Sequence, residues 1–227
     1  MSSVDGPTRV EFEARSPQAS RDALARCLAL GCVGLVVTHS QWQHLAWAFD
    51  IGTVTLIGLV AVIVTRNGQV EGLGLQSVPL QGWWYWCRWS GWLAIGIGLV
   101  LAIYALVVWC GGLVVRSPRT DPQHLLAQGL FMIVYAPVVE EIVFRSLLCF
   151  SVAPTLGSRS RILLSGTLFA AMHWIYGNPS PENQLGGFFL AYAFVRSNTV
   201  SVPIAMHASG NAIALASQVL NWYVVGN

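Results

Sequence analysis

Apolar residues along this chain gather into long runs separated by short polar punctuation, the pattern of successive buried or lipid-facing helices. The runs fall at about 22–40, 45–65, 89–115, 123–150, 160–176, 184–195 and 200–224, and most approach the roughly 20 residues that a bilayer crossing needs. The first is diluted by polar residues. The sixth, LGGFFLAYAFV, crosses fully only if it extends back toward Pro181. The expected fold is all-α: a polytopic transmembrane bundle of about seven helices, within a range of six to eight, enclosing a polar cavity inside the membrane. Residues 1–20 mix prolines, serines and both charge signs and are expected to form a flexible polar tail. Residues 21–227 then make a single transmembrane domain.

Composition agrees. The chain has 227 residues, 55% hydrophobic and 10% charged, where a soluble domain carries about 25% charged residues. Its mean hydropathy is +0.59. A formal charge of +2 without basic clusters excludes nucleic acid as a partner and leaves the lipid bilayer. All twelve basic residues are arginine, a hint of a GC-rich bacterial genome and hence of a bacterial inner membrane. With the N-terminus cytoplasmic, Arg9, Arg15, Arg21, Arg26, Arg66, Arg88, Arg159, Arg161 and Arg196 lie inside, and Arg116 and Arg119 outside. That asymmetry is the one the positive-inside rule expects. Cys27, Cys32, Cys87, Cys110 and Cys149 are scattered, with no metal-ligand spacing and no disulfide framework. The run GWWYWCRWSGW places Trp83, Trp84, Tyr85, Trp86, Trp89 and Trp92 at a cytoplasmic boundary, as an aromatic belt or as a substrate platform.

Chemistry enters in the fourth run, FMIVYAPVVEEIVFRSLLCF, which holds Glu140, Glu141 and Arg145. Ionisable groups at bilayer depth cost roughly 2.5–3.5 kcal/mol each on insertion scales, so their presence points to function. Glu141 and Arg145, four apart, share a face and can pair. Glu140 points about 100° away, free to face a cavity. Pro137 predicts a kink near Ile133 to Pro137. The fifth run carries His173 and the seventh His207 and Asn211, which share a face. Counted at about 1.5 Å per residue, Glu140, His173 and His207 lie about 15, 18 and 10 Å deep, one zone of the cytoplasmic half. A carboxylate, two histidines and an amide suit water activation and oxyanion stabilisation. No HExxH and no nucleophile motif occurs, which favours peptide hydrolysis without a covalent intermediate. Glu140, His173 and His207 also form a His₂Glu set of the kind that binds zinc, so a zinc cofactor stands as the alternative to none.

Three motifs carry a resemblance. EEIVFR is similar to EExxxR, FAAMH to FxxxH and HASGN to HxxxN, in order and on separate runs. By these the chain resembles the CPBP intramembrane proteases, the CAAX-protease and bacteriocin-processing group also called the Abi family, with a protease-like core at about 123–224. The resemblance implies an intramembrane endopeptidase, with Glu140 activating water, His173 orienting it, and His207 with Asn211 holding the substrate carbonyl and oxyanion. Glu141 and Arg145 would shape the site. The implied partner is a peptide or protein precursor cut at a membrane-proximal or C-terminal bond: a prenylated tail, a bacteriocin or pheromone precursor, or a sorting tail. Two readings outside that class use the same polar cluster: a binding or transport protein with a proton relay, and a catalytically silent immunity or scaffold protein.

Overall fold

The computed structural model describes residues 17–39, 46–66, 70–111, 122–175 and 180–225. Most of the expected polar tail, with Arg9 and Arg15, lies outside the described residues, as do Arg116 and Arg119. Seven helices occupy the seven apolar runs: α1 (Pro17–His39), α2 (Ala46–Arg66), α3 (Gly82–Cys110), α4 (residues 125–152), α5 (Ser158–Ile175), α6 (Pro181–Ser197) and α7 (Ser201–Val225). α1 begins at Pro17, inside the stretch expected to be tail, because proline suits a first helical turn, whose N–H groups have no intrahelical partner. No helix among the described residues is long and apolar enough to cross a membrane. Charged residues interrupt α4 at Glu140, Glu141 and Arg145 and occupy the first turn of α5 at Arg159 and Arg161.

α4 is not one regular helix. Short α turns (Leu125–Gly129, Ala136–Glu141, Leu148–Val152) alternate with two π turns, Leu130–Tyr135 and Ile142–Leu147. Pro137 stands just after the first π turn, where its missing N–H and its ring disfavour regular α bonding. The deformation expected at Ile133 to Pro137 thus takes the form of a widened turn. Both glutamates sit on the α segment between the two π turns.

The core forms where α1, α2, α4 and α5 meet, around Ala25, Ala29, Val60, Val64, Val143, Leu147, Phe150 and Phe169. Arg26 of α1 closes this side. Its guanidinium donates to the Phe150 carbonyl and lies 4.3 Å over the Phe150 ring, while Ser151 Oγ donates to the Arg26 carbonyl at 3.2 Å. A cation is favourable there, against the last carbonyls of α4.

The α6–α7 turn is clasped by the segment before α3. Val200 N donates to Gly74 O at 2.8 Å, Leu80 N to Ser197 O at 3.0 Å, and Thr199 Oγ1 to Gln76 O at 2.6 Å. Gly74 is required here: its φ is +67°, and a Cβ would lie 2.5 Å from the Phe194 ring. The tryptophan run divides in two. Trp86 is buried against Ala193 and Val202 and donates Nε1–H to Gln81 at 3.1 Å, and Trp89 stacks on Tyr192 at 5.7 Å. Trp83, Trp84, Tyr85 and Trp92 face outward. Trp86 therefore departs from the expected boundary belt, because a buried indole needs a partner for its N–H and Gln81 supplies one.

α5 and α6 pack through glycines, each seated under a phenylalanine ring of the other helix. A Cβ at Gly166 would lie 2.4 Å from Phe188 Cδ1, whereas one at Gly186 would meet nothing within 4 Å. Gly166→Ala is expected to destabilise the protein by about 1–3 kcal/mol through overpacking. Gly186→Ala should leave thermal unfolding of the purified protein unchanged or raise its midpoint slightly.

Candidate active site

The three motif helices converge on the carboxylates of α4. Glu141 is fully buried, and its two oxygens serve different partners. Oε2 pairs with Arg145 Nε at 3.0 Å, and Oε1 accepts from His207 Nδ1 at 2.9 Å. Arg145, also fully buried, donates through Nη2 to the Gly187 carbonyl at 3.1 Å and stacks 4.5 Å over the Phe169 ring. The expected ion pair is present. Sequence spacing did not reveal that its carboxylate is shared with α7.

Phe169 is the floor of this cluster. Besides Arg145 it contacts His173 at 4.4 Å, Phe144 at 5.6 Å and His207 at 5.8 Å between ring centroids. Gly187 makes that possible, since a Cβ there would lie 2.8 Å from Phe169 Cδ1. Phe169 opens the FxxxH motif and Gly187 belongs to a Gly-Gly-Phe-Phe run. Both signals stood in the sequence without an assigned task.

Glu140 faces the other way, toward both imidazoles. His173 Nε2 and His207 Nε2 each lie 4.0 Å from Glu140 Oε2, an oxygen that is buried and has no hydrogen-bond partner. Hydrogen bonding settles both tautomers. His173 Nδ1 lies 3.0 Å from the Phe169 carbonyl, which can only accept, so Nδ1 carries a proton. His207 Nδ1 likewise donates to the Glu141 carboxylate. Each ring therefore turns its Nε2 toward Glu140. Exposure falls along the cluster, from 27% for the Glu140 side chain through 17% for His173 and 9% for His207 to 0% for Glu141 and Arg145. The first three side chains are partly exposed, while the pair that supports them is dry.

The spacing bears on what the trio can hold. Two groups bonded to one water at about 2.8 Å lie about 4.4–4.6 Å apart. Tetrahedral zinc brings its nitrogen and oxygen ligands within about 3.4 Å of each other. The 4.0 Å separations fall between the two figures. Among the described residues, no group of three or more His, Cys, Asp or Glu is arranged to hold a metal ion.

Asn211 is not aimed at this trio by its hydrogen bond. Its Nδ2 donates to the Met132 carbonyl at 2.7 Å, one turn along α7 from His207. Two surface grooves, of about 480 and 450 Å³, lie elsewhere: one beside Trp84, Arg88 and Trp92, the other between Leu125 and the Ala212–Leu220 stretch of α7. Neither is lined by Glu140, His173 or His207.

Residues 122–213, which span every side chain of this cluster, match the family described as Type II CAAX prenyl endopeptidase Rce1-like. No curated protein and no solved structure matches the chain significantly.

Removing one member of a buried ion pair strands the other. Glu141→Gln is expected to destabilise the fold by about 3–5 kcal/mol, measured by denaturant unfolding. Pairing it with Arg145→Met should recover part of that loss, because no uncompensated charge then remains.

Proposed function

We propose, from the match of residues 122–213 to the Rce1-like family of type II CAAX prenyl endopeptidases, that this chain is an intramembrane endopeptidase that hydrolyses a peptide bond with water activated by Glu140. The observation that carries this reading is the unpartnered Glu140 Oε2 with two imidazole Nε2 atoms 4.0 Å away.

In this mechanism a water donates one proton toward Glu140 and its other toward His173 Nε2, which orients its lone pair at the substrate carbonyl. As the oxygen attacks the carbonyl carbon, Glu140 takes the proton. His207, charged through a proton on Nε2, donates to the developing oxyanion. Its Nδ1–H is anchored on Glu141, which stabilises the imidazolium as the buried aspartate does in a serine-protease triad. The tetrahedral intermediate then collapses. Glu140 returns its proton to the amine nitrogen as the C–N bond breaks, leaving a new carboxyl terminus and a free amine. No step passes through a metal.

The membrane setting of this reading is supported by the outward faces of the helices. Trp92, Leu99, Val100, Ile103 and Val107 of α3 are all more than 60% exposed, and α2 turns out Val54 and Val62. Apolar surface of this extent marks a face covered by lipid or by another chain. The N-terminus in the cytoplasm and the exposed Arg66, Arg88, Arg159 and Arg196 on that side complete the proposed orientation. The substrate class that suits it is a precursor cut near the membrane or near its C-terminus.

Glu140→Gln should leave the unfolding midpoint intact and lower cleavage of fluorogenic peptides, with and without a prenylated C-terminal cysteine, by at least about 100-fold. Wild-type turnover by that variant would remove Glu140 from the reaction. Elemental analysis of active protein should find less than one zinc per chain, and activity should survive exhaustive chelation. Stoichiometric zinc that leaves and returns together with activity would replace the water-only mechanism.

A further inference from the structure

A π turn has a defined by-product. In an α-helix each carbonyl accepts from the amide four residues on, and in a π turn from the amide five on. Where α bonding resumes, one carbonyl is passed over. In α4, Ala136 N–H donates to Phe131 O and Leu148 N–H donates to Val143 O, each five apart. The carbonyls passed over are therefore those of Met132 and Phe144. For Met132 the five-apart alternative is Pro137, which has no N–H.

Each passed-over carbonyl has a side-chain donor from a different helix. Asn211 Nδ2 of α7 reaches Met132 O at 2.7 Å, and Ser165 Oγ of α5 reaches Phe144 O at 2.9 Å. Both carbonyls stand three residues before the end of their π turn, and the Phe144 carbonyl also accepts from Cys149 Sγ of α4 itself at 3.7 Å. They bracket the segment that carries Glu140 and Glu141. Each donor also sits on a helix that supplies a histidine: Ser165 two turns before His173, Asn211 one turn after His207.

We infer that Asn211 is a positioning residue: with Ser165 it caps the carbonyls released by the two π turns, and so fixes α5 and α7 against the glutamates between them. Its amide is thereby the donor that keeps His207 on Glu141 when no substrate is present. This inference concerns the resting geometry and stands apart from the proposed hydrolysis.

The test reads the substrate-free protein, labelled with ¹⁵N-histidine, by NMR, alongside amide exchange of residues 130–136. Asn211→Ala is expected to lose the downfield Nδ1–H signal of the His207–Glu141 hydrogen bond and to speed exchange at least about tenfold through local opening. Adding Pro137→Ala to that variant restores the missing N–H, lets the turn return to α bonding, and should recover both readouts. Asn211→Gln, which keeps the amide, should hold the signal better than Asn211→Leu, which keeps only bulk. That pair decides the matter should Pro137→Ala fail to fold. An Asn211 that only donates to a substrate oxyanion would leave both readouts of Asn211→Ala at wild-type values, and that result overturns the inference. So does equal loss in Asn211→Gln and Asn211→Leu without recovery by Pro137→Ala.

Discussion

The carboxylate of Glu141 is the constraint on which the cluster rests. A fully buried charge is tolerated only when it is paired, and Glu141 is paired through both oxygens, with Arg145 on its own helix and His207 on α7. One oxygen holds Arg145 and the other His207. Through Arg145 the constraint passes to the Gly187 carbonyl of α6 and the Phe169 ring of α5. Four helices are thus tied to one acid, and none can shift far without exposing or stranding a charge.

That anchoring frees the neighbouring acid. Glu140 shares the backbone segment but not the pairing, so its Oε2 is left facing two imidazole nitrogens whose tautomers are set from behind by Phe169 O and by Glu141. Structure and proposed chemistry are divided between adjacent residues, one dry and one partly exposed. The π turns on either side of the pair hold both acids on one short α segment, and π turns recur at functional sites for this kind of re-aiming.

Much of this was legible before any coordinates. Seven apolar runs became seven helices, and the i,i+4 spacing of Glu141 and Arg145 foretold their pair. Pro137 signalled a deformation of α4 but not its form, because proline reports a lost donor and not which register the backbone takes instead. The register of α7 against α4 was hidden for a related reason. His207 and Asn211 share a face in sequence, yet one meets a carboxylate and the other a backbone carbonyl that exists as an acceptor only because of the π turn. Phe169 and Gly187 were visible as motif letters. Their task depends on an approach of two helices that no single helix encodes.

An experimental structure resolving ordered solvent between Glu140 Oε2, His173 Nε2 and His207 Nε2 tests the central claim most directly. The account predicts a single water within hydrogen-bonding distance of all three, about 2.6–3.2 Å. A metal at about 2.0–2.2 Å from the same atoms, or Glu140 hydrogen-bonded to another protein group with no solvent there, would contradict it.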